Sequence, residues 1–412
     1  SLPIGNGSIG ANIFGSITTE RITFNEKSLW CGGPNVSDDP SYYWDVDKQS
    51  AHWLPEIRRA FVDGDSLRAD SLVRKHFNSG VSYVAGDESP YRFGNFTWMG
   101  EFLIDTGIDQ KEVSGYTRSL SLDSAVVTVA FEAQGIRYKR EYFVSYPDNV
   151  MVVRFSSDAP QHLSFVYDPN RISSGKFSRT GSDGLLYDGR LDDNRMQYAV
   201  KVRAIAREGS VSNRDDRLVV DGARDVVFLI AADTDYKVNF DPDFTDPATY
   251  VGVDPVETTQ GWISSAVDAG YDRLLQTHIQ DYRRLFDRVS LSLGSGEPEP
   301  VSTPERLRRY REGAADHYLE ELYYQFGRYL LIASSRPGNM PANLQGIWHN
   351  DVDGPWHVDY HNNINIQMNY WPACMTGLSE CVEPMIDFIR TLEKPGKNTA
   401  RSYFGADGWT AS

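Results

Sequence analysis

The sequence predicts a mixed chain, β first and α after: an antiparallel β-sandwich over residues 1–255, a helical linker over 256–302, and an all-α region from 303 to 412. Three observations carry this. Up to about residue 255, apolar residues recur with period two between turns rich in Asn, Asp and Gly. Beyond that point they recur at helical spacing. Between two helical stretches lies SLGSGEPEPVSTPE (292–305), a Gly/Pro/Ser-rich boundary.

Among the strands, Val127, Val129 and Phe131 alternate with Thr128 and Ala130. Gln134-Gly135 then turns the chain, and Ile136, Tyr138 and Tyr142 continue the alternation, which reads as a hairpin. Further strands are expected at 150–155, 197–206 and 226–232. Many strands joined by polar turns, without long intervening helices, indicate antiparallel layers. Residues 50–77 interrupt them with a helical pattern that reads as an insertion. In the linker, Val267, Tyr271, Leu274, Leu275, His278, Tyr282, Leu285 and Phe286 mark helix over 258–288. Thr303-Pro304-Glu305 has the cap-then-proline order of a helix start. Leu319, Leu322, Tyr323, Phe326, Leu330 and Ala333 line one face of a long helix. Further helix is expected at 363–376, 379–392 and 396–404.

Bulk properties exclude several functions. The chain has 412 residues and a formal net charge of -16. No Lys/Arg cluster stands against that charge, so a nucleic-acid partner is not expected. No stretch approaches the ~18 apolar residues that span a membrane. Any signal peptide is expected upstream of Ser1, and the expected location is periplasmic or extracellular, with the cytoplasm as the alternative. Cys31, Cys374 and Cys381 are too few and too irregular for a disulfide framework or a zinc site. Cys374 and Cys381 could share a helix face and read as ordinary buried thiols. No metal or cofactor is expected.

The chemistry is concentrated in 341–373, PANLQGIWHNDVDGPWHVDYHNNINIQMNYWPA. It sets Asn343, Gln345, His349, Asn350, Asn362, Asn363, Asn365, Gln367 and Asn369 among Trp348, Trp356, Tyr360, Tyr370 and Trp371. Amides are costly to bury without partners. Each both donates and accepts, which matches a ligand rich in hydroxyls. The plain alternative is a rigid loop whose amides tie down backbone.

The ordered motifs LPIGNGSIGANIFG (2–15), FNEKSLWCGGP (24–34), REYFVSYPDNVMVVRF (140–155), FGRYLLIASSRPGNMPANLQGIW (326–348) and DYHNNINIQMNYWPA (359–373) resemble glycoside hydrolase family 95, which comprises α-L-fucosidases and related α-L-galactosidases. The resemblance implies an N-terminal super-sandwich, a helical linker and an (α/α)6-barrel that is incomplete in this chain. It implies inverting hydrolysis with a Glu general acid and an Asp general base. Two Asn residues position the water, and by resemblance these are Asn363 and Asn365. An amide takes no proton usefully near neutral pH, so their part is orientation. His361 matches a position facing the C5 substituent of the sugar, where His goes with fucose. Asp359 and Trp348 are the further candidate substrate contacts.

Two positions depart from the family pattern: Cys374 stands where Glu is common, and Cys31 where a small polar residue is usual. The residues from Thr303 to Ser412 suffice for about four helices where a closed barrel needs twelve. The acid and base are therefore unassigned and expected beyond Ser412, and GWTAS reads as a truncation, so 1–412 alone is expected to be inactive. Asp351, Asp353, Glu380, Glu383 and Asp387 are poor substitutes. The expected partner is a fucosylated oligosaccharide or polysaccharide. The alternatives are an α-L-galactosidase, a glycoside phosphorylase, for which no phosphate loop is visible near 341–373, and a non-catalytic glycan-binding protein.

Overall fold

The computed structural model describes residues 1–411 except 33–49, 78–93, 170–171, 173, 215, 244–245, 247, 295, 297–298 and 351–353. Asp351 and Asp353 thus lie outside the described residues.

The first half is a large antiparallel sheet. Its strands are β1 (Leu2–Gly5), β2 (Ile9–Ile13), β3 (Thr19–Glu26), β4 (Trp30–Cys31), β5 (Asn95–Phe96), β6 (Gly100–Asp105), β7 (Val113–Ser121), β8 (Val126–Ala133), β9 (Ile136–Ser145), β10 (Val150–Asp168), β11 (Lys176–Arg179), β12 (Gly184–Arg190), β13 (Gln197–Arg207), β14 (Ser210–Arg214) and β15 (Arg217–Thr234). Thirteen pair in the order β1-β2-β3-β6-β10-β15-β13-β12-β11, with β9-β8-β7 branching from β10 and β14 from β15, while β4 and β5 form a ribbon of their own.

The branch has a visible cause. One edge of β10 pairs with β9 along Val150–Ser157 and with β6 along Ser164–Asp168. Its register against β15 slips between Ser156 and Gln161. Such an irregularity bends a strand, so β10 serves two sets of neighbours. Val127, Val129 and Phe131 from one branch share a core with Ile4, Phe24 and Phe102 from the other. The predicted hairpin is β8–β9, closing from Ala133 to Ile136. Gln134 and Gly135 both have positive φ (54° and 75°), the conformation that suits a two-residue turn to strand twist.

Helices α1 (Leu54–Val62) and α2 (Ser66–His76) fill the insertion between β4 and β5. After β15 come α3 (Pro255–Ala269) and α4 (Tyr271–Phe286). The helical pattern expected as one run is broken at Gly270, whose φ of 73° a helix cannot hold. Leu274, His278, Tyr282 and Leu285 form the buried face of α4. His278 stacks on Phe143 of β9 at 4.8 Å. Burial lowers its imidazole to about 4, so the ring is neutral at physiological pH.

Helix α5 (Thr303–Arg311) begins one residue earlier than expected. Ser302, not Thr303, is the cap, and its hydroxyl accepts from the Glu305 N–H. Helix α6 (His317–Ser334) is the long helix read from the sequence. Helix α7 is only Asn365–Tyr370, and α8 (Glu383–Thr399) runs through Pro395 into a wide turn over 400–404. A proline removes a single N–H, and the neighbouring bonds keep this helix continuous. Cys374 is exposed, which corrects the expectation of a buried thiol. It and Cys381 lie in separate short turns because Gly377, with φ of 72°, interrupts the helix they were expected to share. No helix among the described residues is long and apolar enough to cross a membrane.

Candidate active site

The segment after α6 is seated on the N-terminal strands. Gly7 N–H donates to the Ala333 carbonyl (2.8 Å), and the Lys27 ammonium donates to the Ser334 carbonyl. A cation there meets the negative end of the helix dipole. Ser335 Oγ lies 2.7 Å from the Tyr370 hydroxyl and donates to the Cys381 carbonyl at 2.8 Å. Arg336 pairs with Asp281 at 2.8 Å and covers the Tyr146 ring at 3.9 Å. Asn25 Nδ2 donates to the carbonyls of Ile347 (3.2 Å) and His349 (2.6 Å).

Glu26 and Lys27 are both buried at this junction, which makes folding pH-dependent. Burial, reinforced by Asp233, pushes the Glu26 carboxyl up to about 8. Its folded pKa thus lies above the unfolded 4.5. The stability this proton contributes is complete below about pH 4.5 and is lost as pH rises through about 8. Lys27 has the opposite sign: burial lowers it from 10.5 to about 7. Its contribution is lost as pH falls from 10.5 through about 7, largely outside the acidic part of the Glu26 window. Glu26→Gln keeps the neutral form in place, so its melting temperature is expected to fall less than wild type from about pH 5 to 7. Equal slopes in thermal melts would remove Glu26 as the source.

Along the loop, Asn343 and Gly346 exchange backbone hydrogen bonds at 3.1 Å, and the Leu344 N–H reaches the Asp359 carbonyl at 3.3 Å. Trp348 spends its indole N–H on the Ile4 carbonyl at 2.9 Å, which leaves its ring face for other contacts. Trp356, His357 and Val358 take left-handed φ values of 57°, 59° and 51° in succession. That conformation costs roughly 1–2 kcal/mol per residue for L-amino acids, most for a β-branched one. Strain of this kind collects at functional sites.

The turn delivers Asp359 and His361. His361 Nδ1 stands 2.5 Å from Asp359 Oδ1, and its ring meets Trp356 edge-on at 6.0 Å. Asn363 lies in the turn that follows, and Asn365 is the first residue of α7. Both are exposed. Ile364 occupies the cap position without a side-chain bond, so neither amide is used in capping. The sequence-derived residues Asp359, His361, Asn363 and Asn365 therefore stand in one short stretch, while Trp348 is tied to β1 through the Ile4 carbonyl.

Several buried polar atoms here lack hydrogen-bond partners: Asn25 Oδ1, Asn343 Nδ2, Gln367 Oε1, and also Asp359 Oδ1 and His361 Nδ1, which approach each other without hydrogen-bond geometry. Buried polar atoms are nearly always paired, so each marks a place where a polar group is wanted. Asn25 was visible within a quoted motif, but nothing in its spacing singled it out. Glu380 is bound by Arg288 at 2.6 Å, and that hydrogen bond holds its carboxyl down at about 2, far from the range of a general acid. Asp387 pairs with Arg390 at 3.1 Å. Among the described residues no cluster of His, Cys, Asp and Glu could hold a metal.

Residues 270–412 match the glycosyl hydrolase family 95 catalytic domain, and residues 1–239 match the glycosyl hydrolase family 65 N-terminal domain. The chain is 34% identical over 446 residues to "Alpha-L-fucosidase 2" of Arabidopsis thaliana, a match covering 100% of this chain and 49% of that protein. It is 33% identical over 428 residues to "Probable alpha-fucosidase A" of Aspergillus niger, covering 99% of this chain and 50% of that one. The chain thus spans about half the length of the curated relatives it matches. A solved structure described as a kojibiose phosphorylase from the human microbiome aligns over 97% of this chain and 47% of its own, with a TM-score of 0.53 and 10% identity, a likeness of fold alone. Residues 270–412 thus belong to the glycoside hydrolase family 95 catalytic domain, and residues 1–239 to the N-terminal domain described for family 65.

Proposed function

We propose that the protein carrying this chain is an inverting exo-glycosidase that releases terminal α-L-fucose from fucosylated oligosaccharides or polysaccharides. The observation that carries this is the exposed pair Asn363 and Asn365, free of capping duty beside His361, in a family 95 chain whose relatives are named α-fucosidases. In an inverting reaction a water attacks the anomeric carbon opposite the leaving oxygen, between carboxyls ~6.5–9.5 Å apart. The two amides orient that water, and His361, beside Asp359, faces the sugar's C6 methyl. The sheet is read as a super-sandwich over 1–255, residues 256–302 as the linker, and α5–α8 as the opening helices of an (α/α)6-barrel. Exposed Trp371, Met368 and Met375 fit helix faces that further helices would cover. By the resemblance the acid and base lie beyond Ser412, and Glu380, bound by Arg288, and Asp387, paired with Arg390, are assigned neither role.

The test is to incubate the full-length gene product with a 2'-fucosylated oligosaccharide, with and without phosphate, and follow the anomeric protons. Release of β-L-fucose before mutarotation, independent of phosphate, is the expected result. Binding without cleavage, α-L-fucose as first product, or release of a sugar phosphate would each overturn the reading.

Fucose and L-galactose differ only by a hydroxyl on C6, so an imidazole packed there crowds the CH2OH. His361→Thr is expected to narrow the preference for α-L-fucosides over α-L-galactosides. A contact of this size discriminates by only ~1–3 kcal/mol, so a shift in the ratio of kcat/KM values is expected, not a switch. An unchanged ratio in a folded, active variant would remove His361 from the C6 pocket.

A further inference from the structure

We infer that Asn25, on a strand of the N-terminal sheet, is a positioning residue for the loop that carries Asp359, His361, Asn363 and Asn365. The inference rests on the function proposed above for that loop, and it concerns a residue far from it in sequence. Asn25 is fully buried, and both hydrogen bonds of its Nδ2 go to loop carbonyls, Ile347 at 3.2 Å and His349 at 2.6 Å. Its Oδ1 has no partner, so the amide is oriented by the loop alone. A buried amide half satisfied in this way is costly as a purely structural device.

The neighbouring glycines point to the same contact. Asn25 pairs across β2–β3 with Gly10. A Cβ on Gly10 would lie 2.6 Å from both the Ile347 carbonyl oxygen and its Cγ1. A Cβ on Gly5 would lie 2.6 Å from the Ala333 oxygen and 2.7 Å from Ile347 Cδ1. Neither glycine has positive φ, so the requirement is space for Ile347 and not backbone conformation. From His349 the contact continues inward. The buried His349 ring and Val358 would both collide with a Cβ on Gly354, at 2.3 and 2.2 Å. Val358 ends the left-handed turn that hands the chain to Asp359, and Leu344 ties that residue back to the loop. The sheet thereby sets the height of the loop through Ile347 and His349, and the turn transmits it to the Asn pair.

Asn25→Asp preserves shape while replacing the two-proton donor by an acceptor that faces two carbonyls. In the full-length gene product, kcat on a fucoside is expected to fall about 10- to 100-fold with KM little changed, because a displaced catalytic loop costs transition-state alignment. Part of the loss should return as pH falls, since the introduced carboxyl, once protonated, can donate one bond again. Amide hydrogen exchange supplies a readout that does not depend on activity: protection in 343–361 should drop while that of β10 and β15 stays. Faster loop exchange with unchanged kcat in an active enzyme overturns the positioning role, as does unchanged loop exchange. If wild type lacks fucosidase activity, the functional reading fails, and exchange alone still decides whether Asn25 sets the loop. Should Asn25→Asp not fold, Asn25→Ser, which retains one donor, is compared with wild type by the same two measurements.

Discussion

Asn363→Ala and Asn365→Ala are each expected to lower kcat on the order of 10²-fold in the full-length gene product, with a much smaller change in KM. A group that orients the attacking water acts chiefly in the transition state, and losing it removes alignment more than affinity. The fold gives little reason for either substitution to act indirectly. Both side chains are exposed, neither caps α7, and Ile364 takes the cap position between them. Surface changes away from caps and buried networks usually stay within about 0.5 kcal/mol, so melting temperatures should match wild type. Steady-state kinetics beside thermal melts make the check. A kcat near wild type would withdraw the role, and a rise in KM alone would reduce the pair to ground-state binding.

How much of this was legible in the sequence depended on whether the information is local. The β8–β9 hairpin was readable because alternation and a Gln-Gly turn determine it within a few residues. The α4 face was readable because burial repeats at helical spacing, although the break at Gly270 was missed. The start of α5 slipped by one residue because Ser302 and Thr303 are both competent caps, and only geometry chooses between them. The amide-rich segment announced itself by composition. Its support did not: Asn25, Gly5 and Gly10 contact residues more than three hundred positions away, and no periodicity reports such a contact. Motifs near the N-terminus, recognisable as family features, prove to be largely seats for the helical half. Nor does spacing report that the Trp348 indole N–H bonds to the Ile4 carbonyl.

Arg140→Met is expected to destabilise the protein by about 3–5 kcal/mol at neutral pH, the cost of stranding one partner of a buried pair. Arg140 and Glu20 are almost wholly buried and 3.0 Å apart. The guanidinium also donates to the carbonyls of Ser16 (2.5 Å) and Ile17 (2.9 Å), and stands over the Phe155 ring at 4.8 Å. It thus fastens the β2–β3 turn to β9. Burial raises the Glu20 carboxyl above its ordinary value even with Arg140, the Tyr142 hydroxyl and the Gly15 N–H opposing it. Without Arg140 that rise should grow, and the folded state will favour a protonated Glu20. A raised carboxyl contributes stability below its unfolded pKa and loses it as pH rises through the folded value. The penalty of Arg140→Met should therefore shrink towards acidic pH and grow towards alkaline pH. Adding Glu20→Gln removes the stranded charge, and the double variant should recover much of the loss, since replacing both partners of a buried pair is often close to neutral. Urea unfolding of the two single variants, the double variant and wild type at acidic and neutral pH measures the coupling. A penalty independent of pH, or additive single effects, would show that Arg140 stabilises through its carbonyl and ring contacts and not through Glu20.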